Sequence, residues 1–132
     1  MARLLGIDYG TVRVGIALSD PDQQLAFPKE VAPSNEAYAR IEQLIIEEGA
    51  EGVVVGIPTP LMGGESVMTK YARAFAEKLE STLHVPVYTW PELLSSREAS
   101  HAPGGKKDDA SAAAIVLQSF LDEKHRKNKP QE

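Results

Sequence analysis

GIDYGTVRVGIALSD, residues 6–20, decides how the rest of the chain is read. Two apolar runs flank a turn that opens on a carboxylate, Asp8, followed by Tyr9, Gly10 and Thr11. The first run, RLLGIDY over 3–9, is apolar enough for a strand buried on both faces. The second, VRVGIALSD over 12–20, alternates in part and reads as its hairpin partner, with Gly10 giving the backbone freedom for the short connection. An acid at the end of a buried run is costly unless something pairs with it. Two chemistries want one there: a turn that cradles a nucleotide phosphate, or a carboxylate that holds a divalent metal.

Working outward, QLAFPKEVA (24–32) reads as a third strand, placed at an edge because Pro28 cannot donate to a ladder. Pro33-Ser34-Asn35 offers an N-cap to a helix carrying Ala37, Ile41, Leu44 and Ile45, with Gly49 as its stop. GVVVGIP (52–58) is a central buried strand. After a loop over 59–64, Val67, Tyr71, Phe75 and Leu79 recur every four residues on a long helix. VPVYTW (85–90) is the fifth strand, a short helix is expected over Leu94–His101, and Ala102–Gly105 is a loop. The closing helix runs from about Asp109 to Glu123, with Ala113, Val116, Leu117 and Phe120 inward. This order predicts an α/β fold: a five-stranded mixed sheet with helices on both faces. A helix between strands four and five implies a right-handed crossover.

Composition sets the bounds. At 132 residues the chain is one ordinary domain, too short for two lobes closing on a ligand. We place the domain at 1–123 and a basic, flexible tail at 124–132. The absence of cysteine excludes disulfides and thiolate metal sites and fits a reducing, cytoplasmic setting. No apolar run reaches membrane-spanning length, and no signal-like segment opens the chain. A net charge of -5 argues mildly against a broad nucleic-acid footprint. The charge is uneven, however: residues 36–51 hold five acids and one arginine, and residues 124–132 hold four Lys/Arg and one Glu. A local basic surface is compatible with an acidic total.

Three acid positions stand at element ends: Asp8 closing strand one, Glu92 following strand five, and Asp109, beside Asp108, opening the last helix. Sites in open α/β sheets gather beyond the carboxyl ends of strands. If strands one, four and five are parallel neighbours, these acids meet at one edge. Oxygen donors without cysteine suit a hard cation, Mg²⁺ or Mn²⁺. Two such ions about 4 Å apart stabilise the attacking and leaving oxygens of a phosphodiester displacement. Blander roles compete. An Asp at a helix start is usually a cap, and a Glu after a strand is usually surface. Arg13 can simply pair with Asp8, Lys106 and Lys107 can solvate a loop, His84 and His101 fit the surface, and His125 falls in a frayed tail.

Several segments in order resemble the YqgF family of RuvC-like proteins, described as pre-16S rRNA nucleases or Holliday junction resolvases. They are GIDYGTVRVGIA, VVVGIPTPLMGGES, YARAFAEKLE, PELLSSREA and DDASAAAIVLQSFLD, spanning about residues 3–122. The resemblance implies an RNase H-like fold and metal-dependent phosphodiester cleavage. By position it assigns metal and catalytic roles to Asp8, Glu92 and Asp109, the last because Ala112-Ala113 follows three residues on. Pro91 and Leu93 stand where the family has an acid and an arginine, whereas Ser95 and Ser96 keep the hydroxyls of two threonines. Arg13, Lys106, Lys107, Ser95 and Ser96 are the expected nucleic-acid contacts. The implied activity is a nuclease using Mg²⁺ or Mn²⁺, in two-ion form, on structured or precursor RNA at the 5′ end of 16S rRNA. Cleavage of branched DNA is the alternative, in a monomer or homodimer. GIDYGT is also similar to the first phosphate loop of actin-like and sugar-kinase ATPases, but their second lobe has no room here. A non-catalytic RNA-binding assembly factor is the third class.

Overall fold

The computed structural model describes residues 2–93 and 109–128. Among them, five strands form one sheet in the order β3-β2-β1-β4-β5. The strands are β1 (Arg3–Asp8), β2 (Arg13–Ser19), β3 (Ala26–Pro33), β4 (Ala50–Thr59) and β5 (Val87–Leu93). The helices are α1 (Ser34–Glu48), α2 (Val67–Thr82) and α3 (Asp109–Asn128). The first three strands form an antiparallel meander, and β4 and β5 run parallel to β1 and to each other. The mixed sheet with helices on both faces is therefore present as expected. The predicted helix over 94–101 and the loop over 102–105 lie outside the described residues. None of the described helices is long and apolar enough to cross a membrane.

Period-two alternation sorts the side chains between two layers. Leu5, Ile7, Val14, Ile16, Val53, Val55 and Ile57 pack against Ala37, Ile41 and Leu44 of α1 and Ala72, Phe75, Ala76 and Leu79 of α2. Leu4, Ala17 and Val54 face Ala113, Val116, Leu117 and Leu121 of α3. Pro28 sits on the edge strand, at a register shift where Ala17 pairs Pro28 and the preceding Ile16 pairs Glu30. A bulge at an edge tolerates a residue that cannot donate.

Some local expectations change and one holds. Pro33 holds the N-cap position of α1 and no side chain caps the helix. The Ser34 hydroxyl is spent instead on the Thr11 carbonyl, at 2.7 Å. Gly49 does end α1, in the left-handed conformation (φ 65) with its N–H donated to Ile45. α2 opens on a capping box between Ser66 and Thr69. Finally, α3 continues to Asn128, past the Glu123 boundary, so residues 124–128 of the supposed flexible tail are helical. The reason is a docking hub at Gln23, which is only 2% exposed. Lys124 Nζ donates to its Oε1 at 2.5 Å, and His125 Nε2 meets its carbonyl at 2.7 Å. His125 is thereby held and not frayed.

Candidate functional site

Parallel pairing brings the ends of β1, β4 and β5 to one side of the sheet. Asp8 is level with Gly15 on β2 and with Gly56 on β4, and Gly56 is level with Trp90 on β5. Glu92 lies two residues further along, paired with Pro58. The expectation that Glu92 follows strand five is corrected here: it lies within β5, which continues because β4 runs on to Thr59 and supplies a partner up to Leu93. Pro91 is accommodated since, among the described residues, β5 is an edge. By alternation Asp8, Gly56 and Glu92 share the face covered by α3.

Glycine is what lets that face assemble. A Cβ on Gly15 would stand 1.9 Å from the Asp109 carbonyl oxygen, so α3 begins directly against the strand beside Asp8. A Cβ on Gly6 would stand 2.7 Å from the Leu117 Cβ. At Gly56 it would meet Val116 at 2.9 Å and Glu92 Oε1 at 3.5 Å. The Glu92 carboxylate thus reaches back over Gly56, toward the row that holds Asp8. Glycines inside apolar strands are the sequence signal for such close approach, and the sequence reading passed over them. Gly10 has a similar role: its φ is not positive, and a Cβ there would run into the Arg13 carbonyl, so what the turn needs from glycine is space.

Asp8 is buried, 2% exposed. Asp8 and Glu92 are both engaged by other groups. Asp109 opens α3, where the helix dipole favours a negative charge. Its Oδ2 accepts from Arg13 Nε at 3.1 Å. Arg13 therefore pairs with Asp109, 96 residues away, and not with Asp8 as the blander reading had it. Its side chain remains 67% exposed. Ser95, Ser96, Lys106, Lys107 and Asp108 lie outside the described residues.

A divalent cation fits the chemistry of these residues. The candidate donors are all carboxylate oxygens, and the space over Gly56 into which Glu92 reaches is one that a Cβ would fill. Among the described residues, no three His, Cys, Asp or Glu side chains are gathered closely enough to hold an ion together. Asp109 in particular is turned to Arg13.

The chain matches the RuvX family, described as Holliday junction resolvase, over residues 2–123. The chain belongs to this family. A relative from Lawsonia intracellularis named "Putative pre-16S rRNA nuclease" is 35% identical, covering 92% of this chain and 94% of its own length. One of the same name from Corynebacterium glutamicum is 36% identical, covering 98% and 83%. Among solved structures, Thermus thermophilus RuvC in complex with a Holliday junction substrate superposes with a TM-score of 0.61 at 16% identity, covering 99% of this chain and 100% of that one. That likeness establishes a RuvC-type, RNase H-like fold.

Proposed function

We propose that the protein is a divalent-metal-dependent nuclease that hydrolyses phosphodiester bonds of precursor ribosomal RNA, in the processing of the 16S 5′ end. What supports the reading is backbone placement: Asp8 and Glu92 lie at the same end of three parallel strands, and Gly15 lets the Asp109 start of α3 lie against the strand beside Asp8. Family membership and two relatives named as nucleases of pre-16S rRNA support it. Asp8, Glu92 and Asp109 would hold Mg²⁺ or Mn²⁺. When bound, the cation neutralises charge developing on the reacting phosphodiester. Asp8 is fixed by the strand that carries it, Glu92 by the pairing of β5 with β4, and Asp109 by the first turn of α3. Arg13, exposed and held among the described residues by the Asp109 carboxylate, can exchange Asp109 for a substrate phosphate while remaining at the site. Such an exchange frees Asp109 to act as a ligand. Lys106, Lys107, Ser95 and Ser96 are further proposed phosphate contacts.

The description of the family as a junction resolvase favours branched DNA as the second reading. One experiment separates the two: purified protein incubated with a precursor 16S fragment and with a four-way DNA junction, each in Mn²⁺ and in EDTA. Cleavage of the RNA in Mn²⁺ alone, lost in Asp8→Asn, is the expected result. Cleavage of the junction alone selects the second reading. Inactivity on both, with RNA binding retained, selects an assembly factor.

A further inference from the structure

The chain has four tyrosines, and three of them, Tyr9, Tyr38 and Tyr71, line a single cleft of about 370 Å³. The cleft lies between the start of α1 and the exposed side of α2, with Lys78 on its wall. It lies outside the carboxylate site, on the other side of the strand ends. Yet the two are joined by the shortest covalent link, because Tyr9 directly follows Asp8. The turn that follows them is also stitched to α1. The Ser34 hydroxyl donates to the Thr11 carbonyl at 2.7 Å, and the Ser34 N–H to the Val12 carbonyl at 2.9 Å.

The rings have distinct duties. Tyr9 packs on Phe75 with centroids 4.8 Å apart, which fixes it as part of the cleft floor. Tyr71 is 49% exposed and its ring is available to solvent. The Lys78 ammonium stands 5.0 Å from the Tyr38 centroid, held by the ring's π face. Pro33 at the N-cap leaves the first turn of α1 without a side-chain cap, and Ser34 and Asn35 of that turn also line the cleft. Flat aromatic faces, a cation and polar groups of a helix start thus share a volume of the size that small-molecule sites occupy.

The geometry points to this cleft as a subsite for one unpaired nucleotide of the nucleic-acid substrate, its base stacked on the exposed ring of Tyr71 and its phosphate drawn to Lys78, which Tyr38 holds in place. A base within a duplex is already stacked on both faces, so only an unpaired nucleotide can use such a platform. The chemistry therefore selects single-stranded substrate beside the cleavage site, crossing the strand ends over the Tyr9–Val12 turn. This rests on the nuclease reading above and narrows it to unpaired RNA.

The test is binding, measured in EDTA so that nothing is cleaved. The probes are a short single-stranded RNA carrying 2-aminopurine and the same sequence as a blunt duplex. Wild-type protein should bind the single strand with quenched fluorescence. Tyr71→Ala should weaken single-strand binding roughly tenfold, with Tm unchanged and duplex binding hardly moved, and Tyr71→Phe should restore it. Lys78→Gln should weaken the single strand and lower its salt slope by about one. Single-strand affinity and quenching untouched by both Tyr71→Ala and Lys78→Gln would overturn the proposal, as would equal losses on single strand and duplex. Tyrosine-dependent binding in a protein that cleaves nothing would leave the cleft standing and remove the nuclease reading instead.

Discussion

The two faces of the sheet are built on opposite plans. Toward α1 and α2 the strands present branched aliphatic side chains, and Leu5, Ile7, Val14, Ile16, Val53 and Val55 are fully buried there. Toward α3 the same strands present glycine at Gly6, Gly15 and Gly56, with Asp8 among them. A thick aliphatic layer removes much apolar surface from water and stabilises the fold. A glycine row removes less but lets a helix backbone approach the strands closely, which delivers the first residue of α3 to a chosen acid. Stability is concentrated on one face and positional accuracy on the other. The acids are on the face where the helix can come near.

This division can be broken from either side, and the expected effects fall in order. Asp8→Asn keeps the shape but removes a charge from the glycine face. Metal-dependent cleavage should fall on the order of a thousandfold or more while the protein stays folded, and single-turnover rates with circular dichroism check both halves. Full activity in this variant would discard the metal reading. On the aliphatic face, Leu5→Ala should destabilise by about 2–5 kcal/mol through lost burial and a cavity, read by urea unfolding, while the rate per folded molecule is kept. A rate loss exceeding the unfolded fraction would show that the two faces are coupled.

Gly15→Ala tests the other half of the contrast. Its Cβ has no room against the Asp109 carbonyl, 1.9 Å away, so α3 must shift. The expected cost is about 1–3 kcal/mol of stability and up to roughly a hundredfold in cleavage, since small misplacements of catalytic groups are expensive. Unchanged cleavage would mean that Asp109 need not lie against β2.

The smallest effect lies away from both sites. Arg40 donates to both carboxylate oxygens of Glu30, at 2.5 and 2.8 Å, joining α1 to β3. Those hydrogen bonds hold the Glu30 carboxyl below its ordinary value of 4.5. A carboxylate depressed in the folded state stabilises fully above its unfolded value and loses that contribution as pH falls through the folded one. Glu30→Gln should therefore lower Tm slightly at neutral pH, and the difference from wild type should close as the pH drops below about 4.5. A difference that persists in acid would assign the effect to packing.

Much of this molecule is local and therefore legible in the chain. Alternation and runs of Val, Ile and Leu mark all five strands, four-residue recurrence marks α1 and α2, and Gly49 marks where α1 must stop. Asp8 announces itself because an acid closing a buried strand needs a reason. The extent of β5 was not legible, because a strand continues as far as its neighbour offers hydrogen bonds, and β4 offers them to Leu93. Nor was the partner of Arg13, which is 96 residues distant and chosen by how α3 lands. The helical continuation past Glu123 depends on Gln23, a residue with no helical signal of its own that becomes a hub once buried. The sequence by itself determined the described elements, their order and the acid at the end of β1, since these follow from the periodicity and side-chain chemistry of neighbouring residues. Only the tertiary structure decided which glycines admit α3, where Glu92 reaches, what Arg13 holds and that three tyrosines share one cleft, because each depends on packing between segments far apart along the chain.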